Sequence, residues 1–81
     1  MVKCSLSAGC VIEKEIGYYG NNIKVHKEVE SQEDCLKLVK ANKKVLFWTY
    51  KAKAKECRVK KSKKGKKPFP GHVSGNRKCA L

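Results

Sequence analysis

The sequence predicts a small α+β domain that contains several strands, one helix and a framework of disulfide bonds. Five cysteines occur in 81 residues, a density typical of small secreted modules whose cores are too thin to be stable alone. One segment has the cap residues and apolar spacing of a helix, and several others have the β-branched or alternating pattern of strands. A chain of this length forms one domain, so we expect covalent links to contribute much of its stability.

The helix is predicted over residues 31–42. Ser31 is a favourable N-cap residue, and Glu33 and Asp34 lie in the first turn, where the positive end of the helix dipole favours acidic side chains. Asn42 is a residue that commonly ends a helix. Apolar residues at helical spacing form the face that is expected to pack on the sheet: Cys35, Leu38 and Val39.

The strongest predicted strand is formed by residues 45–50, which are rich in β-branched and aromatic side chains. Large side chains on both of its faces predict a central strand that the helix covers on one side, with Trp48 in the core. A hairpin connection through residues 51–56 leads to a returning strand at residues 57–60. The inward residues of that strand are predicted to be Cys57 and Val59.

The other segments are shorter or less regular. Strands are predicted at residues 10–15 and 23–29, where apolar and polar residues alternate in part. Residues 61–67 are predicted to form a polar loop, and residues 68–73, with two prolines, an extended edge segment. Residues 74–78 are predicted to form a turn.

The cysteines lie at positions 4, 10, 35, 57 and 79. Because the number is odd, at most two disulfides form within the chain and one thiol remains. No pair has C-x-x-C spacing and neither histidine lies near a cysteine pair, which disfavours a metal site. Free cysteines in a cytosolic protein remain the alternative. The first residues lack the apolar run of a secretory signal, so we expect a mature fragment or a module of a larger secreted protein.

The chain has a net charge of +13, which favours polyanionic partners. Residues 60–67 contain six lysines in eight positions and follow Arg58. In an extended or loosely turned loop, such a row would match a sulfated polysaccharide, with little stereochemical selectivity because lysine is a point charge. The alternative is a solvated loop that selects nothing. The residues predicted to bind a polyanion are Arg58, Lys60, Lys61, Lys63, Lys64, Lys66 and Lys67; the hairpin lysines at 51, 53 and 55 could widen the surface.

Other functions are less well supported by the sequence. A nucleic-acid binder usually interleaves aromatic and basic residues, whereas here only Phe69 lies close to the lysine row. No run of apolar residues approaches the length of a membrane span. No constellation of residues predicts catalysis. His72 lies in a segment that contains proline and glycine and is expected to be exposed. His26 lies in a predicted strand and could face either side of it. We therefore predict a binding module without a cofactor.

The order of these elements resembles the PAN/apple family, most closely an apple module of an apicomplexan micronemal adhesin. The first strand and turn are followed by the helix, the central strand, the hairpin and a closing cysteine, as in that family. The four pieces of sequence that carry the resemblance are residues 19–23, residues 31–36, residues 47–50 with 57–60, and residues 74–79.

The resemblance implies a twisted antiparallel sheet of about four or five strands with the helix packed on one face. It implies one module over residues 10–79, preceded by an arm at residues 1–9, and two disulfides, Cys10–Cys79 and Cys35–Cys57. A third disulfide of the family would join positions 39 and 45, where this chain has two valines, and we therefore expect a softer junction between helix and strand. Cys4 has no counterpart: it could bridge to another module or chain, replace Cys10, or remain free.

The resemblance also implies an extracellular adhesion or recognition module that binds carbohydrate or protein, often beside further modules in one chain. A host-surface sulfated glycan or a protein receptor would be the partner, and a parasite secretory organelle and the cell surface would be its locations. A structural spacer without its own ligand is the alternative. An intracellular nucleic-acid binder is a third and less favoured one.

Overall fold

The computed structural model describes residues 9–20, 22–62 and 64–80. Cys4 and Lys63 lie outside the described residues, and so do most of the predicted N-terminal arm and the last residue. The structure contains five strands, one α-helix and a closing 3-10 turn. Their bounds are β1 Ile12–Tyr18, β2 Asn22–His26, α1 Gln32–Ala41, β3 Phe47–Lys51, β4 Glu56–Lys60, β5 Lys66–Asn76 and the 3-10 turn Arg77–Ala80.

The strands form a single antiparallel sheet in the order β1-β5-β3-β4-β2. The α+β class and the five-stranded antiparallel sheet are confirmed, and β3 is the central strand, as its composition predicts. A four-residue connection at residues 52–55 joins β3 to β4, and the residues that flank it, Lys51 and Glu56, are paired in the sheet. Side chains alternate along these strands, so Trp48, Tyr50, Cys57 and Val59 point to the same buried face.

The helix covers that face and begins and ends where the sequence predicts. Ser31 is the N-cap, and its hydroxyl accepts a hydrogen bond of 3.1 Å from the amide of Asp34. Asn42 is the C-cap residue. Cys35 and Val39 are fully buried in one core with Trp48, which confirms that the tryptophan is a core residue. Its indole nitrogen donates to the carbonyl of residue 76 at 2.9 Å.

One disulfide joins residues near the two ends of the domain, and another joins the helix to the sheet. Cys10 is bonded to Cys79, and Cys35 is bonded to Cys57. These are the two pairs that the family resemblance implies. The two loops that they close differ in length, with 69 and 22 residues of sequence separation, respectively.

The junction between α1 and β3 is tied by an arginine where the resemblance would place a third disulfide. Val39 and Val45 are both fully buried. Nη1 of Arg77 lies 2.9 Å from the carbonyl oxygen of Val39 and 2.9 Å from that of Val45. The same nitrogen lies 2.7 Å from the carbonyl oxygen of Asn42, and Nη2 donates to that of Lys40 at 3.3 Å. A charged donor therefore adds hydrogen bonds to carbonyls at the end of the helix, where those of Val39 and Asn42 also accept backbone amides at 3.3 and 3.1 Å. It links the two positions that carry no cysteine.

The second half of β1 and the first half of β5 cover the opposite face of the sheet. A bulge at Glu15, which has a positive φ of 60°, bends β1 at this point. The amide of Tyr18 then donates to the hydroxyl of Thr49 at 3.4 Å, and the Ser74 hydroxyl donates to the carbonyl of Ile16 at 2.7 Å. Both hydroxyl side chains are buried and lie 2.7 Å apart. This ribbon, β1 residues 16–18 with β5 residues 66–70, is a second layer that the sequence does not predict.

The predicted loop and turn around β5 are partly wrong. Lys66 and Lys67 begin β5 because they pair with Tyr18 and Gly17 of β1, and residues 74–76 end it because they pair with β3. Residues 77–80 then form the 3-10 turn. Pro68 pairs with β1, whereas the register with β3 begins only at residue 72. The segment with the two prolines therefore pairs with β1 but not with β3, whereas the later part of β5 lies between these two strands.

Candidate functional site

The six lysines of residues 60–67 do not form one exposed row. Lys61 and Lys64 are exposed in the loop between β4 and β5, and neither makes an ion pair with another described residue. Lys67 is exposed at the start of β5. Lys63 lies outside the described residues. Lys66 is also exposed but is paired with Glu13. The exposed cations of this region that make no ion pair with a described residue are Lys61, Lys64 and Lys67, which we call the lysine surface.

Lys60 is unavailable to a ligand, and the prediction that it binds a polyanion is wrong. Its relative exposure is 0%, and its ammonium donates to the carbonyl of Gly20 at 3.1 Å and to the side-chain oxygen of Asn22. The reason is the turn before β2, which crosses this end of β4 and encloses the side chain. Burial, and then the charge of Arg58, lowers the pKa of Lys60 from 10.5 to about 8. Lys60 holds the turn that follows β1.

Two further predicted cations already have carboxylate partners. Nε of Arg58 lies 2.6 Å from Oε1 of Glu56, and the hydrogen bond lowers the pKa of Glu56, with burial opposing and nearby cations assisting. Lys66 forms an ion pair with Glu13, which also accepts a 2.5 Å hydrogen bond from Tyr18. Burial first, and then Glu13, raises the pKa of Tyr18. Neither cation therefore offers a ligand the unpaired charge that the sequence predicts.

An aromatic cluster lies beside the lysine surface, and the sequence revealed only one of its members. The amide of Tyr19 donates to the carbonyl of Gly65 at 3.3 Å, so the turn after β1 sits against the lysine loop. The Tyr19 ring lies 5.8 Å from the ring of Phe69, measured between centroids, and the Lys67 ammonium lies 5.4 Å from the Tyr19 centroid. Such distances allow a cation–π contact. The close approach requires glycine at 65, because a Cβ there would lie 2.7 Å from the carbonyl oxygen of Tyr19.

His72 is buried, and the expectation that it is exposed is wrong. Its relative exposure is 8%, because β5 continues through this residue and the ribbon lies against it. A Cβ at position 17 would lie 2.9 Å from Nδ1 of His72, so the glycine of β1 makes room for the ring. Nδ1 is buried and has no hydrogen-bond partner among the described residues. Burial, then the charges of Lys51 and Arg58, lowers the pKa of His72, although Glu56 and Glu15 oppose the shift.

The rings of His72 and Phe69 form one wall of a small cavity. They are stacked, with centroids 4.0 Å apart and planes at 17°. The cavity is also lined by Lys51, at the end of β3, and by Lys53, in the β3–β4 connection, and it has a volume of about 170 Å³. Phe69 is 40% exposed, so part of its ring is accessible from this space. We call this space the Phe69 cavity.

The hairpin lysines do not extend the lysine surface directly. They lie before the start of β4, whereas the loop at residues 61–65 follows the end of β4. A five-residue strand separates these two points by about 16 Å. Lys55 is paired with Glu30 at 3.0 Å. Phe69 connects the two regions instead, since it contacts Tyr19 on the side of the lysine surface and lines the cavity near Lys53.

Two further features of the described residues bear on function. In residues 9–20, 22–62 and 64–80, no three His, Cys, Asp or Glu side chains are arranged to hold a metal ion. Within the same ranges, the helices are too short or too polar to cross a lipid bilayer.

Comparisons with known proteins give structural matches. No protein-family model matches the sequence, and no curated protein matches it. Among solved structures, the chain is similar to the two N-terminal apple domains of microneme protein 4 from Toxoplasma gondii, with 23% sequence identity and a TM-score of 0.70. That match covers 94% of this chain and 45% of the other, so the chain spans about half of that structure.

A second solved structure is matched over most of both chains. It is a PAN module from Eimeria tenella, with 25% identity and a TM-score of 0.64 over 86% of this chain and 81% of the other. In this chain, the matched fold consists of the five-stranded antiparallel sheet, the α-helix on one face and the disulfide from helix to sheet. The chain therefore has the fold of a PAN/apple domain.

Proposed function

We propose that this domain is an extracellular recognition module that binds a sulfated polysaccharide through the lysine surface and the neighbouring aromatic rings. The observation that carries the proposal is the position of Lys67, whose ammonium lies 5.4 Å from the Tyr19 ring beside the exposed Lys61 and Lys64. Ammonium groups attract sulfate groups, and an aromatic face packs against the C–H face of a sugar, whose hydrogens are weakly positive. The two disulfides support an oxidising setting.

The similarity to apicomplexan modules supports a finer proposal about location and organisation. We propose that the chain is secreted, as part of a microneme-type pathway in such a parasite, and that residues 10–79 form one module among others. The support is that one matched structure belongs to a microneme protein and contains two apple domains. Because the matched structures are apple and PAN modules, we propose a binding function rather than an enzymatic one.

The test is salt-dependent retention on immobilised heparin, compared with a cation exchanger of equal charge density. The triple variant in which Lys61, Lys64 and Lys67 become Gln should lose affinity for heparin. Exposed ion pairs contribute about 0.2–1 kcal/mol each, so three of them correspond to roughly a threefold to 150-fold loss.

The matched control removes the same charge from exposed lysines that are not part of the lysine surface. The triple variant of Lys40, Lys43 and Lys44 to Gln changes exposed residues at the end of α1 and is expected to elute almost like wild type. If both triple variants weaken heparin binding equally, charge alone explains retention and the lysine surface is not a site. Equal retention on single-stranded DNA of matched charge would favour the nucleic-acid alternative.

A second candidate is a structural spacer between neighbouring modules. Val11 and Leu46 are 51% and 49% exposed, and both lie near Asn76, which accepts a hydrogen bond from the amide of Val11 and lines an apolar depression with Leu46. The Cys10–Cys79 disulfide is next to this surface along the chain, so a preceding or following module would meet it. Elution of wild type from heparin and from the exchanger at the same salt concentration would favour the spacer.

A further inference from the structure

The Phe69 cavity has the composition of a ligand site. A site for a small ligand is usually concave and mostly apolar, with a few polar groups that fix orientation. The stacked rings of Phe69 and His72 provide an apolar wall, and Lys51 and Lys53 provide cations in the same lining. Its cations and its aromatic wall therefore face the same space.

The two cations differ in how strongly the protein already engages them. Lys53 is exposed in the β3–β4 connection and makes no ion pair with any residue in the described ranges. Lys51 lies 3.8 Å from Oε1 of Glu56, whereas Nε of Arg58 lies 2.6 Å from the same oxygen. Because Arg58 holds that carboxylate more closely, Lys51 retains hydrogen-bonding capacity for an anion.

The lining and the volume limit what the cavity can hold. None of the described lining residues is an acid. Two carboxylates adjoin the lining: Glu15 accepts a hydrogen bond from the Gly71 amide at 2.8 Å, and Glu56 lies 3.8 Å from the ammonium of Lys51. Lys53, which makes no ion pair within the described ranges, is therefore the group expected to attract an anion. A volume of about 170 Å³ corresponds to the space of roughly five or six water molecules, and it is smaller than the about 300–1,000 Å³ typical of drug-sized ligands. One sugar ring fits this limit, and an oligosaccharide does not.

We propose that the Phe69 cavity binds a single acidic sugar unit. The C–H groups of the sugar pack against the exposed part of Phe69, which His72 supports by stacking on it, and its carboxylate or sulfate is bound by Lys53 and Lys51. This inference rests on the proposed function and deepens it, because Phe69 also contacts Tyr19 and so adjoins the lysine surface. A polysaccharide on that surface would place one of its acidic units in the cavity.

The experiment is an NMR titration of the disulfide-bonded protein with two simple probes. Methyl β-D-glucuronide carries a carboxylate, and methyl β-D-glucoside is its neutral counterpart. The acidic probe is expected to bind in the millimolar range and to shift the amide signals of Lys53, Phe69 and His72. The neutral probe is expected to bind at least fivefold more weakly. Glucose 6-sulfate, as a third probe, reports whether sulfate is accepted in place of carboxylate.

Two variants separate the charge from the aromatic wall, and both are expected to remain folded. Lys53→Gln changes an exposed side chain in a turn, and Phe69→Leu keeps an apolar side chain beside His72. Each should weaken binding of the acidic probe at least fivefold. Lys44→Gln, which removes an exposed lysine at the end of the helix, is the matched control and should bind as wild type does.

The inference and the proposed function fail in different ways. No shift with either acidic probe at 50 mM, equal binding of the neutral probe, or shifts confined to residues 61–67 would each overturn the cavity site. Heparin retention that still depends on Lys61, Lys64 and Lys67 would then leave the proposed function standing. Conversely, cavity binding of the glucuronide without selective heparin retention would keep the cavity site as one for acidic sugars and reject the polysaccharide.

Discussion

Arg77 is expected to be among the most important single side chains for stability. Its guanidinium holds the carbonyls of Val39, Asn42 and Val45 at 2.7–2.9 Å, and it also binds that of Lys40. Hydrogen bonds to charged groups are worth about 1.5–3 kcal/mol each. Three acceptors share one nitrogen here, so we estimate about 2–4 kcal/mol for the whole contact. The total stability expected for a chain of this size is about 4–12 kcal/mol.

The perturbation is Arg77→Met, which keeps an unbranched side chain and removes every donor. Urea unfolding followed by tryptophan fluorescence measures the free energy of unfolding, since Trp48 is fully buried in the same core. Arg77→Lys is the control for charge, because an ammonium near the end of the helix keeps the favourable dipole interaction but not the planar fork. We expect Arg77→Lys to lose more than half of the stabilisation that Arg77→Met loses.

A rescue experiment tests whether the arginine does the work of a disulfide. The change Val39→Cys with Val45→Cys, in the Arg77→Met background, would close a loop of six residues, for which the chain-entropy estimate is about 2 kcal/mol. Oxidation of that variant should therefore recover about half or more of the lost stability. A cost below about 1 kcal/mol for Arg77→Met would refute the reasoning, because the carbonyls would then be satisfied equally well without the side chain.

Three further predictions concern buried groups. Because the pKa of Lys60 is lowered to about 8 in the folded protein, the unfolded chain binds more protons above that pH. The free energy of unfolding should therefore rise by about 2 kcal/mol between pH 7 and 9.5. Urea unfolding, with Cys4 replaced by Ser, should show that this rise disappears in Lys60→Met and persists in Lys64→Met. The pKa of His72 is also lowered from 6.5, so stability should fall as the pH falls below about 6.5, and a wild-type slope in His72→Phe would contradict this. Replacing Cys35 and Cys57 by Ala should cost about 3 kcal/mol or more, from the 22-residue separation, and a loss under 1 kcal/mol in thermal unfolding would count against the disulfide.

The helix, the central strand and the disulfide framework could be predicted because their signals are local or carried by the family resemblance. A cap at Ser31 acts on an amide three residues away, and alternation along a strand decides which side chains share a face. Cys57 and Val59 are buried as their alternation predicts. The pairing of Cys10 with Cys79 and of Cys35 with Cys57 came from the order of elements in the family, not from spacing.

The candidate site was only partly predictable. Lys61, Lys64 and Lys67 are exposed as expected, whereas Lys60 is enclosed by a turn that lies 40 positions earlier in the chain. Nothing in the local sequence distinguishes Lys60 from its neighbours. Gly17 and Gly20, which flank Tyr18 and Tyr19, and Gly65 were the only sequence signals for a close approach of these segments, and they do not identify a partner.

The sequence by itself determined the helix and its ends, the central strand, the core face of β4 and the excess of positive charge, because these depend on residue type and on contacts within a few positions. The tertiary structure decided which charges a ligand can reach, and it brought Tyr19 to Phe69, His72 under the ribbon and Arg77 to the end of the helix. The physical reason is that burial of a side chain is set by whichever distant segment crosses it. Here the bend at Glu15 folds β1 and β5 over the second face of the sheet, and that long-range packing has no local signature.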